Sequence, residues 1–406
     1  SGRQEAKGTG VGKKILLLTT GIDLGRLRTV ELFAAKEDHQ VTIWRFTTWW
    51  WGAKTATRVE VVESVMWGFK LPFGCVSDDL YVHLDLRVVY LVLRRTWDVV
   101  ILYGYGSFTT LITTLAARAR GIPVVLWSDA RIDYEMTRRA PYRIYKSLLH
   151  RLANRLVASG TAARKFLEKT AGAGHRIPIA PYAIENEAFL AQLASWIPAA
   201  SKTRQDLGIG PATVTLLYVG RLVRPKGVEE LLCAYQKVRR SVSESALVLV
   251  GDGEDGDYFR GVASQLGLSD VHFVGAVPYD RVAQYYAISD VFVLPSHRDV
   301  WAKVVNEACL AGLPLVVTAD VGAHYDLVLQ GQNGFVVSTH DVDALAEPLI
   351  RLCQNAEIRQ EMGRRSREVI RKWTMEAAAN VLGDVIKGVG TEQAPCPPGT
   401  RLLHKA

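Results

Sequence analysis

The chain has 406 residues, 49% hydrophobic and 22% charged, with a formal net charge of +8. That size and balance supply enough apolar surface for two packed domains and exclude a fibrous or wholly disordered chain. No apolar run reaches the ~18 residues of a membrane span. The five scattered cysteines (Cys75, Cys233, Cys309, Cys353, Cys396) have neither metal-site spacing nor a disulfide framework, so free thiols in a reducing cytoplasm are expected.

In chain order, residues 1–12 read as a disordered N-terminus. Gly8–Lys14 superficially looks like a phosphate loop, but it precedes its strand and lacks Ser or Thr after the lysine. Ile15–Leu18 is too short for a signal-peptide core and reads as part of a first strand. Strands are expected at Lys14–Thr19, Gln40–Phe46, Trp97–Tyr103, Ile122–Trp127, Arg155–Ala158 and Arg176–Ala180. In the second half they are expected at Val214–Val219, Ala246–Val250, Val271–Val274, Val291–Leu294, Leu315–Thr318 and Gly334–Val337. Several of these runs are continuously apolar, as strands buried on both faces are. Helical stretches alternate with them, so the pattern predicts an α/β protein with two Rossmann-like parallel sheets. The first domain is placed at 13–190. Residues 184–211 have few strand signals and hold the interdomain linker, drawn most narrowly at 191–211. The second domain is placed at 212–373. A helix spans about 374–389, and the tail from Thr391, rich in proline, reads as disordered.

Two features of the first half concern surfaces. Trp44, Trp49, Trp50, Trp51, Trp67, Phe69 and Phe73 crowd one region, and three consecutive tryptophans cannot all face a core from one strand. Either some line an acceptor cleft or membrane interface, or they form a core with one solvent-facing ring. Residues 131–170 carry ten Lys/Arg against three acids, a local excess close to the whole net charge. Within that stripe Tyr142–Leu152 fits a basic amphipathic helix, suited equally to an anionic membrane surface or to solvent.

The chemistry concentrates between Gly220 and Glu307. Gly220 ends a strand and Gly227 opens a helix, so Arg221 and Lys226 lie in the turn between them. Two cations there would stabilise charge growing on a leaving diphosphate; taken alone, they also fit a solvated basic loop. Asp299 and Glu307 stand eight positions apart around an expected helix start near Ala302. Ionised carboxylates accept hydrogen bonds from sugar hydroxyls, and a helix N-terminus favours phosphate. The plainer alternative is that Asp299 caps the helix and Glu307 is a surface residue. Gly251–Gly256 matches a GxGxxG pattern but is filled with acids and sits mid-domain. Asp341-Val342-Asp343 starts a helix more readily than it binds metal.

With these motifs in place, the second half resembles retaining glycosyltransferases of family 4, which have the GT-B fold. Gly220–Gly227 matches the family's Gly-Arg-Leu-x-x-x-Lys-Gly element. Asp299-x7-Glu307, followed by Ala308 and Gly312-Leu313-Pro314, matches its Glu-x7-Glu element. Asp290–Ser296, Gly322 and Gly331–Gly334 match further landmarks. The resemblance covers roughly Val214 to Val385. It implies that Arg221 and Lys226 hold the donor diphosphate, Glu307 the ribose and Asp299 the transferred sugar. Gly220 and the backbone around Trp301, Ala302, Lys303 and Val304 would approach the phosphates and sugar, and Gly251 would border the nucleotide. Gly25 would approach from the first domain, and the last helix would cross back onto that domain. This chain departs by having Asp299 for the first Glu, Ala302-Lys303 for Gly-Leu, and Trp127-Ser128-Asp129 where a His is common; Ser128 or Asp129 is left to fill that space.

The expected activity is transfer of a sugar from a nucleotide diphosphate donor to an acceptor hydroxyl, with retention, on a saccharide or lipid-linked acceptor in polysaccharide assembly. No metal or other cofactor is expected, and the protein is expected to be cytoplasmic or peripheral on a membrane. Two alternatives are a GT-B sugar-nucleotide epimerase or hydrolase, and a non-enzymatic nucleic-acid binder. The second has no recognisable nucleic-acid module, so no nucleic-acid partner is expected.

Overall fold

The computed structural model describes residues 12–19, 23–47, 59–65, 68–70, 81–83, 85–104, 107–131, 140–171 and 176–389. Trp49, Trp50, Trp51, Trp67, Phe73, Cys75 and Cys396 lie outside the described residues, as do residues 1–11 of the N-terminal segment and the whole tail from Thr391. Cys233, Cys309 and Cys353 are free thiols. No described helix is long and apolar enough to cross a membrane.

The first sheet contains β1 (Lys14–Thr19), β2 (Gln40–Thr47), β3 (Val59–Val65), β6 (Val99–Tyr103), β7 (Val124–Ser128) and β8 (Arg155–Ala158). Its order is β3-β2-β1-β6-β7-β8, and every pairing is parallel. A separate antiparallel pair joins β4 (Gly68–Lys70) to β5 (Tyr81–His83). The second sheet contains β9 (Val214–Val219), β10 (Ser245–Val250), β11 (Val271–Gly275), β12 (Val291–Leu294), β13 (Leu315–Thr318) and β14 (Gly334–Val337). It repeats the same winding, β11-β10-β9-β12-β13-β14, again all parallel. The winding reverses between β1 and β6 in one sheet and between β9 and β12 in the other. A crevice opens beyond the strand ends at such a reversal.

Helices cover both faces of each sheet. On one face of the first, α1 (Leu24–Lys36) packs with the last helix, α15 (Met375–Gly388), around Phe33, Ala378, Leu382 and Ile386. The chain end therefore returns to the first domain, as the fold expectation requires. The opposite face carries α2 (Leu86–Arg94), α3 (Phe108–Ala119), α4 (Ala140–Leu152) and α5 (Thr161–Ala171).

Three differences from the sequence reading have local causes. Arg176–Ala180 forms no strand: a single bridge pairs Ile179 with Ala158, and Pro178 cannot donate to a ladder. The edge strand β3 was not anticipated, because Glu60 and Glu63 interrupt its apolar run. The stretch read as a linker is helical, with α6 (Asn186–Trp196), a 3-10 turn at Ile197–Ala199 and α7 (Ala200–Asp206). Phe189 and Leu193 of α6 are buried in the second domain's core, which supplies the apolar contact that isolated short helices need.

The remaining helices of the second domain are α8 (Val228–Ser241), α9 (Gly256–Gln265), α10 (Tyr279–Ala287), α11 (Lys303–Ala311), α12 (His324–Leu327), α13 (Val342–Gln354) and α14 (Ala356–Ile370). The acid-filled glycine run thus enters α9. Asp341 caps α13, its Oδ1 accepting from Ala344 N at 2.9 Å.

Candidate functional site

A cavity of about 310 Å³ lies between the facing strand ends. From the second domain its lining includes Gly220, Arg221, Lys226, Asp299, Trp301, Ala302, Lys303 and Val304; from the first, Asp129 and Tyr182. Gly25, Gly251 and Glu307 are not part of this lining.

The cation loop follows β9. The Tyr218 hydroxyl donates to the Arg221 carbonyl at 2.8 Å, fixing the turn while the Arg221 side chain stays exposed. Gly227 has φ +69, and a Cβ there would stand 2.0 Å from the Pro295 carbonyl oxygen, so the loops after β9 and β12 touch through a position only glycine fits. Gly251 is equally constrained, with φ +135 and a notional Cβ 1.9 Å from the Gly220 oxygen. Its role is close packing of neighbouring strand ends.

Lys226 and Asp299, expected to serve different parts of a ligand, are paired with each other. Lys226 Nζ donates to Asp299 Oδ2 at 2.5 Å, and both side chains are mostly buried. Asp299 Oδ1 accepts from Trp301 N at 3.2 Å. Asp299 is not the helix cap: α11 begins after Ala302, which makes no side-chain cap. Ala302 has φ +70 and ψ 85, a left-handed conformation that is costly for a residue with a Cβ. Where the resembled family has glycine, this chain keeps a glycine-like backbone and carries a methyl group.

Glu307 lies in α11 and is buried below the cavity rather than on the surface. The Tyr286 hydroxyl donates to its Oε2 at 2.8 Å. Burial pushes its carboxyl up to about 7, against smaller downward effects of Tyr286 and Lys303.

The departure at Lys303 reaches across the cleft. Its Nζ lies 3.4 Å from Asp23 Oδ1, ahead of α1. Asp23 Oδ2 also accepts from the Tyr182 hydroxyl at 2.7 Å. Burial alone would raise the Asp23 carboxyl, but Lys303, Tyr182 and Arg26 together hold it below its ordinary value. Gly25, expected in a loop, sits in the first turn of α1. A Cβ there would stand 3.0 Å from the Ala183 oxygen, so Gly25 packs against the connecting chain.

Sequence reasoning missed four residues here: Asp23, Arg26, Arg131 and Tyr182. Arg26 is fully buried, its guanidinium 3.9 Å from the Tyr182 ring centroid, 4.4 Å from Trp127 and 5.4 Å from Tyr103. Asp129 accepts from the Tyr103 hydroxyl at 3.1 Å, and the charges of Asp129 and Asp23 favour the Arg26 cation. Arg131, also buried, donates to the carbonyls of Asp320 at 2.6 Å, and of Asp299 and Ala319 at 3.3 Å. It had been grouped with a basic surface stripe; its burial follows from bridging the two domains.

Trp301 contributes more to this bridge than to open surface. It is buried and stacks on Tyr182 with centroids 5.7 Å apart and a 7° angle between planes. It also meets Trp373 at 4.9 Å, and its Nε1 donates to Asn306 Oδ1 at 2.8 Å. Thr161 adds a further link, donating through N and Oγ1 to Asp326 at 2.8 and 2.6 Å.

Two cations and an acid on one sheet's strand ends, closed over by aromatic and acidic groups from another sheet, suit a ligand with a phosphate end and a hydroxyl-rich end. Residues 200–369 match the family model of the glycosyl transferases group 1. The second domain is similar to the glycosyl transferases group 1. This chain is 33% identical over 196 residues to a GDP-mannose-dependent alpha-(1-6)-phosphatidylinositol monomannoside mannosyltransferase of Mycobacterium tuberculosis, covering 46% of this chain and 50% of that protein. It is 29% identical over 235 residues to a sulfoquinovosyl transferase of Arabidopsis thaliana, covering 57% of this chain and 44% of that protein. The chain thus spans about half the length of the curated relatives it matches. Among solved structures, Anabaena HepE in complex with UDP superposes with a TM-score of 0.70 at 18% identity, over 93% of this chain and 100% of that one. With the two parallel sheets, this likeness shows the GT-B fold for the two domains together.

Proposed function

We propose that the protein transfers a sugar from a nucleoside diphosphate sugar to an acceptor hydroxyl, with retention at the anomeric carbon. The observation that carries this reading is the convergence of Arg221, Lys226 and Asp299 on one cavity between facing strand ends. The printed names of the curated relatives, a GDP-mannose-dependent mannosyltransferase and a sulfoquinovosyl transferase, support it.

As the bond from the anomeric carbon to the diphosphate oxygen breaks, the electron pair leaves with the diphosphate. Arg221 and Lys226 stabilise that growing charge more than the ground state, without calling on a metal. The Lys226–Asp299 pair makes donor binding an exchange of partners. The diphosphate replaces Asp299 at Lys226, and the freed carboxylate accepts hydrogen bonds from the sugar. Glu307 receives a ribose hydroxyl. The acceptor enters from the first domain, past Asp129, and attacks on the face from which the leaving group departs. Closure through Trp301 and Arg131 keeps water from the donor.

The acceptor is a lipid-linked saccharide. That part of the proposal rests on the outer face of α2 to α4, where Leu86 is 60% and Ile144 68% exposed beside Arg87 and Arg143.

Asp299→Asn separates the exchange from a purely structural role. Titration of the variant with a nucleoside diphosphate should give binding equal to or tighter than wild type, because Lys226 is released. The extra affinity contributed by the sugar should fall by about tenfold or more, as expected for a lost charged hydrogen bond. Equal losses for both ligands would remove Asp299 from sugar recognition.

A further inference from the structure

A helix start and two loops of the second domain meet beside the cation turn, outside the cavity lining. Glu230 lies in the first turn of α8. His297 follows β12, and His340 lies between β14 and α13. His297 Nε2 stands 2.8 Å from Glu230 Oε1, and His340 Nδ1 stands 3.2 Å from the same oxygen. The two imidazole rings are 3.8 Å apart between centroids. One ligand atom from each of the three side chains falls within 4.8 Å of the others.

His340 Nδ1 is within hydrogen-bond geometry of Glu230 Oε1, but the second imidazole is not. His297 Nε2 is buried and, despite its closeness to Glu230, has no partner in hydrogen-bond geometry. His340 takes a left-handed backbone at φ +62, which a residue with a side chain adopts at a cost. Donor atoms bound to a tetrahedral ion at about 2.0–2.1 Å lie roughly 3.3 Å from one another. The 3.2 Å spacing at His340 is close to that value, and the 2.8 Å spacing at His297 would lengthen slightly around an ion. Two imidazoles and one carboxylate are a ligand set that zinc accepts, with a water completing four-coordination.

We propose that Glu230, His297 and His340 form a divalent-cation site selective for zinc-like ions, which clips the start of α8 to the two loops beside the donor turn. The location gives it a consequence. Glu230 is four residues after Lys226, and His297 is two residues before Asp299. The loops already touch, since His297 N donates to the Pro225 carbonyl at 2.9 Å. An ion here fixes the spacing of Lys226 and Asp299 from behind, without entering the reaction. No motif announces the site, because the three ligands come from distant positions with no local spacing.

The test is calorimetric titration of zinc into the untagged full chain after removal of metal by a chelator, repeated with cobalt while following its visible absorption. One zinc per chain should bind saturably, and cobalt should give the intense bands of a tetrahedral site. His340→Ala, at a position 65% exposed, should keep the native circular dichroism. It should weaken zinc binding at least about tenfold, since losing even an outer partner of a ligand commonly costs that much. His272→Ala, on β11, controls for non-specific histidine binding and should bind as wild type does. Absence of saturable binding, or equal affinity in wild type and His340→Ala, would overturn the proposal and leave Glu230 as a hydrogen-bond partner of two histidines.

Discussion

At the scale of single residues, Glu307 is where burial and the proposed ribose contact conflict. Its carboxyl is raised to about 7 by burial, from an ordinary 4.5. The folded state therefore binds this proton more tightly than the unfolded state. The stabilisation from that proton is complete below about pH 4.5 and is lost as pH rises through about 7. Above neutrality the buried, ionised group costs on the order of 3 kcal/mol. Glu307→Gln should accordingly melt several degrees higher than wild type at pH 8 and at nearly the same temperature at pH 4.5, read by thermal unfolding at both. A constant difference across pH would remove the titration from the account. Much of this residue-level picture was legible: Arg221, Lys226, Asp299 and Ala302–Val304 all line one cavity. What the sequence did not disclose was pairing. Nothing in spacing says that Lys226 and Asp299 hold each other, or that Lys303 reaches Asp23, because the first contact depends on which strands of one sheet are neighbours and the second on how two sheets face one another.

At the scale of elements, the buried strands were the clearest signal, since a continuously apolar run such as Val214–Val219 admits few other readings. Edge and connecting pieces were harder. The helix Asn186–Trp196 was hidden because Pro198 and the small residues after it resemble a linker; the useful sign was Phe189 and Leu193, four apart on one face. The most consequential element contact is Arg131, which follows β7 and ties it to the loops around Asp299 and Asp320. Three carbonyls share its charge. Arg131→Ala should destabilise the protein by about 2 kcal/mol or more in denaturant unfolding, as loss of a charged, buried donor does. It should also broaden the particle in small-angle scattering as the domains separate. A variant with wild-type stability and dimensions would show that Arg131 does not hold the cleft closed.

At the scale of the whole molecule, the fold divides between a second domain that carries the cavity's cations, Arg221 and Lys226, and a first domain that carries basic and apolar surface. On α4, Leu149 and His150 face the core while Ile144 and Leu148 are exposed beside Arg143 and Arg151. That arrangement suits the interface of an anionic bilayer. Replacing Ile144 and Leu148 together with Glu should reduce co-sedimentation with vesicles containing anionic phospholipid several-fold, while leaving thermal stability within about 0.5 kcal/mol, as for exposed positions. Unchanged sedimentation would confine the basic surface to ordinary solubility. The same division fits the proposed roles, and with them the legibility of the second domain's motifs: phosphate and ribose would impose fixed chemistry there, whereas an acceptor surface would be set by shape.

The central claim is that the cavity between the domains binds a nucleoside diphosphate sugar through Lys226. A thermal-shift panel of nucleotide sugars, each beside its bare diphosphate, tests it most directly when run on wild type and Lys226→Ala together. The account predicts that one sugar nucleotide raises the melting temperature well beyond its diphosphate, and that the rise disappears in the variant. No response to any of them, or a response that Lys226→Ala leaves intact, would contradict it.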